Sequence, residues 1–135
     1  MAEEARGVLI DTSVLIAHFR GRLPQEALRS AILEHDSVYV SALTLYELEY
    51  GAIRAGRASD FAKIERDLRP LVLPVGREVA ERAANLNGAL ARENQQIRPR
   101  DALIAATALE KDLALFTLNI GEFQRVPGLQ LLPSP

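Results

Sequence analysis

Three acidic residues in this chain stand where a metal-dependent hydrolytic chemistry would need them. Asp11 ends the apolar run Val8-Leu9-Ile10 and is followed at once by Thr12-Ser13, while Glu47 and Asp101 stand near the openings of apolar helical segments much further along. In an α/β fold the C-terminal ends of neighbouring strands and the N-terminal ends of their helices converge at one rim. Acids from three distant stretches can therefore meet there. Like charges brought together repel, so such a cluster usually persists because a hard cation such as Mg²⁺ binds it through oxygen. The stretch Thr117-Leu118-Asn119-Ile120-Gly121-Glu122 follows a late strand-like run and offers a candidate fourth ligand or water-positioning group.

Each acid also has a purely local explanation. Asp11 fits a turn or helix cap after a strand, with Thr12 and Ser13 as fellow cap formers. Thr44-Leu45-Tyr46-Glu47 matches the capping box, in which the glutamate bonds back to the cap residue's amide. That box gives no reason for Gly51, which shares a helical face with Glu47 and Arg54 and would let a substrate approach closely. Asp101 suits the positive end of a helix dipole. Ala105 and Ala108 continue its face, however, and such small residues imply tight packing that would hold the start of the helix rigidly.

The elements that must position these residues alternate. Val8–Asp11, Ser37–Ser41, Leu71–Val75, Leu113–Leu118 and Leu129–Leu132 read as strands, with Pro74 marking a strand end or edge. Helices are expected from Pro24 to His35, over Leu43–Ala55 ending near Gly56, from a cap at Ser59 or Asp60 to before Pro70, over Arg77–Glu93, and over Arg100–Lys111 opened by Pro99. Strands separated by helical runs imply an α/β fold, a parallel sheet covered on both faces.

The bulk properties narrow the chemistry. At 135 residues, 48% hydrophobic and 25% charged, the chain fits one soluble domain over 1–135 with a real core. With no cysteine, thiol chemistry and zinc–thiolate sites are excluded; with only His18 and His35, a metal would have to be held by oxygen. The acidic start Met-Ala-Glu-Glu-Ala-Arg does not read as a signal peptide and no run is long enough to span a membrane, so a cytoplasmic location and no membrane association are expected. The net charge of −2 argues against indiscriminate nucleic-acid binding but leaves room for a local basic patch. No Gly-x-Ser-x-Gly elbow, glycine-rich phosphate loop or dinucleotide fingerprint is present.

Four segments taken in order resemble the PIN domain, and within it the VapC-type toxins of bacterial toxin–antitoxin pairs. They are Val8-Leu9-Ile10-Asp11-Thr12-Ser13; Val40 to Leu48, closing at Gly51; Arg100-Asp101-Ala102-Leu103-Ile104-Ala105-Ala106-Thr107-Ala108; and Phe116-Thr117-Leu118-Asn119, leading to Phe123 and Pro127-Gly128-Leu129. The resemblance covers essentially the whole chain. It implies a five-stranded parallel sheet in the order 3-2-1-4-5, with Asp11, Glu47 and Asp101 as an acidic triad at its C-terminal rim. The family often has a fourth acid where this chain has Asn119, although asparagine is also common there in VapC-type members. Glu122 is a candidate for the missing charge, with Thr12 and Thr117 as supporting groups.

The resemblance further implies hydrolysis of RNA phosphodiester bonds with Mg²⁺ or Mn²⁺. Asp11 and Asp101 would coordinate the ion, Glu47 would complete its shell or orient water, and Asn119 would assist. Arg20, Arg22, Arg54 and Arg57 are candidates for substrate contacts. An RNA substrate, a VapB-like antitoxin and a homodimer are the implied partners; the alternative is a PIN-like scaffold that binds RNA or protein without cutting. Leu43, Tyr46, Tyr50, Phe61 and Ile64 form a candidate docking surface for the antitoxin, unless they face the core.

Overall fold

The computed structural model describes residues 5 and 7–133, so the expectation for the acidic start falls largely outside the described residues. In chain order the elements are β1 (Gly7–Ile10), α1 (Thr12–Phe19), α2 (Gln25–Leu33), β2 (Ser37–Ser41), α3 (Ala42–Ala55), α4 (Asp60–Leu68), β3 (Leu71–Leu73), α5 (Arg77–Arg92), α6 (Pro99–Glu110), β4 (Ala114–Phe116) and α7 (Ile120–Phe123). The fold is α/β, and the sheet is parallel in the order β3-β2-β1-β4.

The central position of β1 follows from its sequence. Val8, Leu9 and Ile10 are all fully buried, which only a strand covered on both faces allows. Successive side chains point to opposite faces. Leu9 thus packs into a cluster with α5, α6 and Phe123, while Val8 and Ile10 join a cluster built from α1, α2, α3 and α4. Each such residue contributes roughly 1.5–3 kcal/mol by leaving water, so β1 fixes both layers at once.

The expected five-stranded sheet has four strands here. Leu129–Leu132 does run parallel beside β4, at the place of a fifth strand, but makes a single bridge, Leu115 to Leu131. Leu115 N–H donates to the Gln130 carbonyl at 2.8 Å and Leu132 N–H to the Leu115 carbonyl at 2.9 Å. The pairing stops there because Pro133, which has no N–H to donate, follows directly. In the same way β3 ends at Leu73, just before Pro74.

Two helices go beyond the sequence reading, α1 directly after Asp11 and the short α7. The chain leaves β1 towards β2 and β3 on one side and returns through α5 and α6 to β4 on the other. The strand order therefore reverses at β1, the place where open α/β sheets bind ligands. The register pairs Ile10 with Phe116, so the next residues, Asp11 and Thr117, leave the sheet side by side.

Candidate active site

Asp11 is the N-cap of α1 and is 1% exposed. Its backbone still belongs to the sheet, with Asp11 N–H donating to the Phe116 carbonyl at 2.9 Å. Oδ1 accepts from the Thr12 amide at 2.9 Å, while Oδ2 accepts from the Ser13 hydroxyl at 3.0 Å and the Thr117 hydroxyl at 2.8 Å. The cap explanation is thus met by Oδ1, which also faces the other acids, while Oδ2 is held by the two hydroxyls.

Glu47 lies in the second turn of α3, and the capping-box reading of it is overturned. The cap of α3 is Ser41, whose hydroxyl accepts from the Leu43 amide at 3.0 Å. Thr44 is buried and turned towards α1 instead. The Thr12 hydroxyl donates to Glu47 Oε1 at 2.7 Å and lies 2.9 Å from Thr44 Oγ1, so α1 and α3 together fix the glutamate.

Asp101 is completely buried in the first turn of α6. Its helix is held hard against its surroundings by Ala102, Ala105, Ala106 and Ala108, all buried, as the small-residue face implied. The entry to α6 is clamped from α5. The Asn87 side chain both donates to the Ile97 carbonyl and accepts from the Ile97 amide, each at 2.9 Å.

What joins the three acids is Arg100. Its Nε donates to Glu47 Oε2 at 2.7 Å and its Nη1 to Asp101 Oδ1 at 2.8 Å. Its Nη2 reaches Asp11 Oδ1 at 2.7 Å, the Thr12 hydroxyl at 2.9 Å and Glu47 Oε1 at 2.9 Å. Burial works against this charge, but the hydrogen bonds and fields of Glu47 and Asp11 outweigh it and push the arginine's pKa above its ordinary value. Arg100 was not among the residues singled out from the sequence. A signal was present: Arg98-Pro99-Arg100 puts two cations at the positive end of a helix, where the dipole disfavours them unless acids compensate.

A second cluster extends outward. Arg98 donates to Asp101 Oδ2 and to Glu122 Oε2, both at 3.1 Å. Asn119 donates from its amide nitrogen to Asp101 Oδ2 at 3.1 Å and to Glu122 Oε2 at 2.9 Å. Asn119 therefore clamps two carboxylates through its N–H groups. Burial, first of all, raises the Asp101 pKa against the pull of Arg100 and Arg98. Glu122 is held at about 2, chiefly by Asp101, with which it shares the Asn119 amide, and then by Asn119 and Arg98.

Of the four candidate substrate arginines, Arg20 and Arg57 line a groove of about 290 Å³ that runs from Glu47 past Ile16, Phe19 and Gly51. A side chain at Gly51 would meet no atom within 4 Å, so the fold leaves this stretch of groove open. Arg57 is also paired with Asp60 at 2.9 Å. Arg22 and Arg54 are exposed and do not line the groove, because Arg22 follows the turn after α1 and Arg54 points off α3 to solvent. Among the docking candidates, Phe61 and Ile64 are buried core residues and Leu43 packs against the core. Tyr46 and Tyr50 are exposed and stacked, ring centroids 5.8 Å apart, with exposed Ile53 one turn further.

All the oxygens that Arg100 contacts could serve a hard divalent cation, and the guanidinium gathers them around one positive centre. Among the described residues no three acidic, imidazole or thiolate groups lie close enough to share an ion as they stand. The fit lies in the donor chemistry and the common target, with the arginine seated between the acids.

The family whose sequence pattern matches this chain is the PIN domain, over residues 8–129. Ribonuclease VapC of Rickettsia bellii is 33% identical, aligned over 96% of this chain and 97% of its own length. The tRNA(fMet)-specific endonuclease VapC of Salmonella typhimurium is 28% identical over 91% of this chain and 94% of its own. Among solved structures, the DNA-bound VapBC complex from Salmonella typhimurium contains a chain superimposing with a TM-score of 0.76 at 27% identity, covering 93% of this chain and 96% of that one.

Proposed function

Since the chain belongs to the PIN domain family, in its VapC-type branch, we propose that it is a divalent-metal-dependent endoribonuclease toxin neutralised by a cognate antitoxin. The observation that carries this reading is the convergence of Asp11, Glu47 and Asp101, from the ends of β1, α3 and α6, on one cationic group. Names of relatives support the substrate class, since VapC homologues are ribonucleases and one is an endonuclease specific for a tRNA.

In this reading Asp11, Glu47 and Asp101 hold Mg²⁺ or Mn²⁺. When bound, such an ion lowers the pKa of water and offsets charge building on the phosphate. The protein's own groups supply the rest. Ser13 and Thr117 fix the rotamer of Asp11, Thr12 fixes Glu47, and Asn119 with Arg98 fixes Asp101. The groove lined by Arg20 and Arg57 guides the RNA backbone past Glu47, with Gly51 allowing close approach.

The partner reading rests on two features. Solved VapBC complexes, one named as a member of a family of toxin–antitoxin systems, contain chains of this fold, and the apolar strip Tyr46-Tyr50-Ile53 is exposed beside the site on α3. An amphipathic antitoxin helix fits such a strip. A basic residue of that helix would compete for the carboxylates. A homodimer and a cytoplasmic location complete the proposal; among the described residues no helix is long and apolar enough to cross a membrane.

The test is cleavage of RNA by the pure protein with Mg²⁺ or Mn²⁺, compared with chelator. Asp11→Asn and Asp101→Asn should abolish cleavage while leaving the circular dichroism spectrum intact. Undiminished cleavage by both variants would overturn the assignment. The scaffold reading is favoured by one observation, the complete pairing of the acids by Arg100, which leaves them satisfied without an ion. Isothermal titration separates the two, because a scaffold of that kind has no need to bind Mn²⁺.

A further inference from the structure

The oxygens of the two buried aspartates are divided into two sets. Asp11 Oδ2 is held by the Ser13 and Thr117 hydroxyls, and Asp101 Oδ2 by Asn119 and Arg98, none of which touches the oxygens that face Arg100. Asp11 Oδ1 and Asp101 Oδ1, by contrast, face Arg100, as do both oxygens of Glu47. The exchangeable set is thus held chiefly by one long, flexible side chain. That side chain is 24% exposed and rises from the first turn of α6, at the rim of the sheet.

We propose that Arg100 is a switch built into the site: it occupies the carboxylates in the metal-free protein, yields them to a divalent cation, and then binds a phosphate of the substrate. The proposal rests on the metal-site reading above. A cation taking Asp11 Oδ1, Glu47 and Asp101 Oδ1 removes every acidic partner that Arg100 has in the structure. The freed guanidinium remains charged and tethered next to Asp101. Its planar fork matches phosphate as well as carboxylate, and a phosphate must arrive beside the same ion for hydrolysis. Metal affinity is then set by competition with a residue of the same chain, and substrate binding in turn keeps that competitor away.

Isothermal titration with Mn²⁺ on the wild-type protein, Arg100→Gln and Arg100→Lys tests the first half. Arg100→Gln should bind Mn²⁺ at least about tenfold more tightly, since the displaced hydrogen bonds are charge-assisted. Arg100→Lys, which keeps the charge but loses the fork, should fall between the two and serves as the comparison if the glutamine variant does not fold. Fluorescence anisotropy with a 2′-O-methyl oligonucleotide, its integrity after the measurement checked on a denaturing gel, tests the second half in saturating Mn²⁺. Arg100→Gln should bind it about tenfold more weakly than wild type. Equal Mn²⁺ affinity in all three proteins, or undiminished oligonucleotide binding by Arg100→Gln, would overturn the switch and leave the metal site standing. Absence of Mn²⁺ binding in all of them would overturn the metal site itself, and the switch with it.

Discussion

The Thr117 hydroxyl donates to Asp11 Oδ2 at 2.8 Å, across the junction where β4 and β1 leave the sheet together. The pairing of Ile10 with Phe116 makes this contact unavoidable, and both residues are buried. Thr117→Val keeps the shape and removes the donor. The expected cost is about 1–3 kcal/mol of stability, the range for depriving a buried charged group of a hydrogen bond, read from urea unfolding. RNA cleavage should fall about tenfold, because Asp11 keeps only Ser13 on that oxygen.

Asn87 predicts a different signature. Its side chain satisfies both polar groups of Ile97 and thereby sets where α6 begins. Asn87→Ala should cost about 1–2 kcal/mol and increase proteolytic cutting between α5 and α6. Cleavage measured well below the melting temperature should weaken along with it, since Arg100 and Asp101 ride on that first turn.

Gly51 separates stability from function. No atom lies within 4 Å of a Cβ placed there, so Gly51→Ala should stabilise α3 by about 0.5–1 kcal/mol. The alanine variant should still cleave RNA. Gly51→Leu should fill the groove beside Glu47 and depress cleavage at least about tenfold without lowering the melting temperature, a pattern that a purely structural glycine would not give.

The pH response of the metal-free protein isolates Asp101. Its folded-state pKa lies above the ordinary value of 3.8 because burial disfavours the charge. Its contribution to stability is therefore full below that value and is lost as pH rises through the folded pKa. Glu122 acts in the opposite sense: held at about 2, it stabilises above its ordinary 4.5 and loses that contribution as pH falls towards 2. Asp101→Asn cannot ionise. In chelator, its melting temperature should gain on wild type as pH rises from 4 through the elevated pKa. Curves that are parallel throughout would show that burial does not raise the Asp101 pKa.

The sheet and the rim were readable because their causes are local. Three consecutive buried residues before Asp11 demand a central strand, and the alanines after Asp101 demand close packing. The helix α1 was missed since Thr12–Phe19 follows the strand with no intervening turn residue. The capping box at Thr44 was misread because Ser41, three residues earlier, takes the cap and frees Thr44 to turn inward. Arg98-Pro99-Arg100 marks Arg100 as a cation that acids must compensate, but not which acids. Its meaning lies in contacts with Asp11 and Glu47, which are 89 and 53 residues away in sequence.

The guanidinium among the carboxylates also bears on how the chain reaches its native state. Many metal centres cannot assemble until their ion arrives, because the ligands repel one another bare. Here the neutralising charge is encoded in the polypeptide and arrives with α6, at the moment that Asp101 itself is delivered. Under the proposed metal-site reading, folding and metal loading become separate events, so that a newly synthesised molecule would mature in ion-poor surroundings and acquire its cation afterwards.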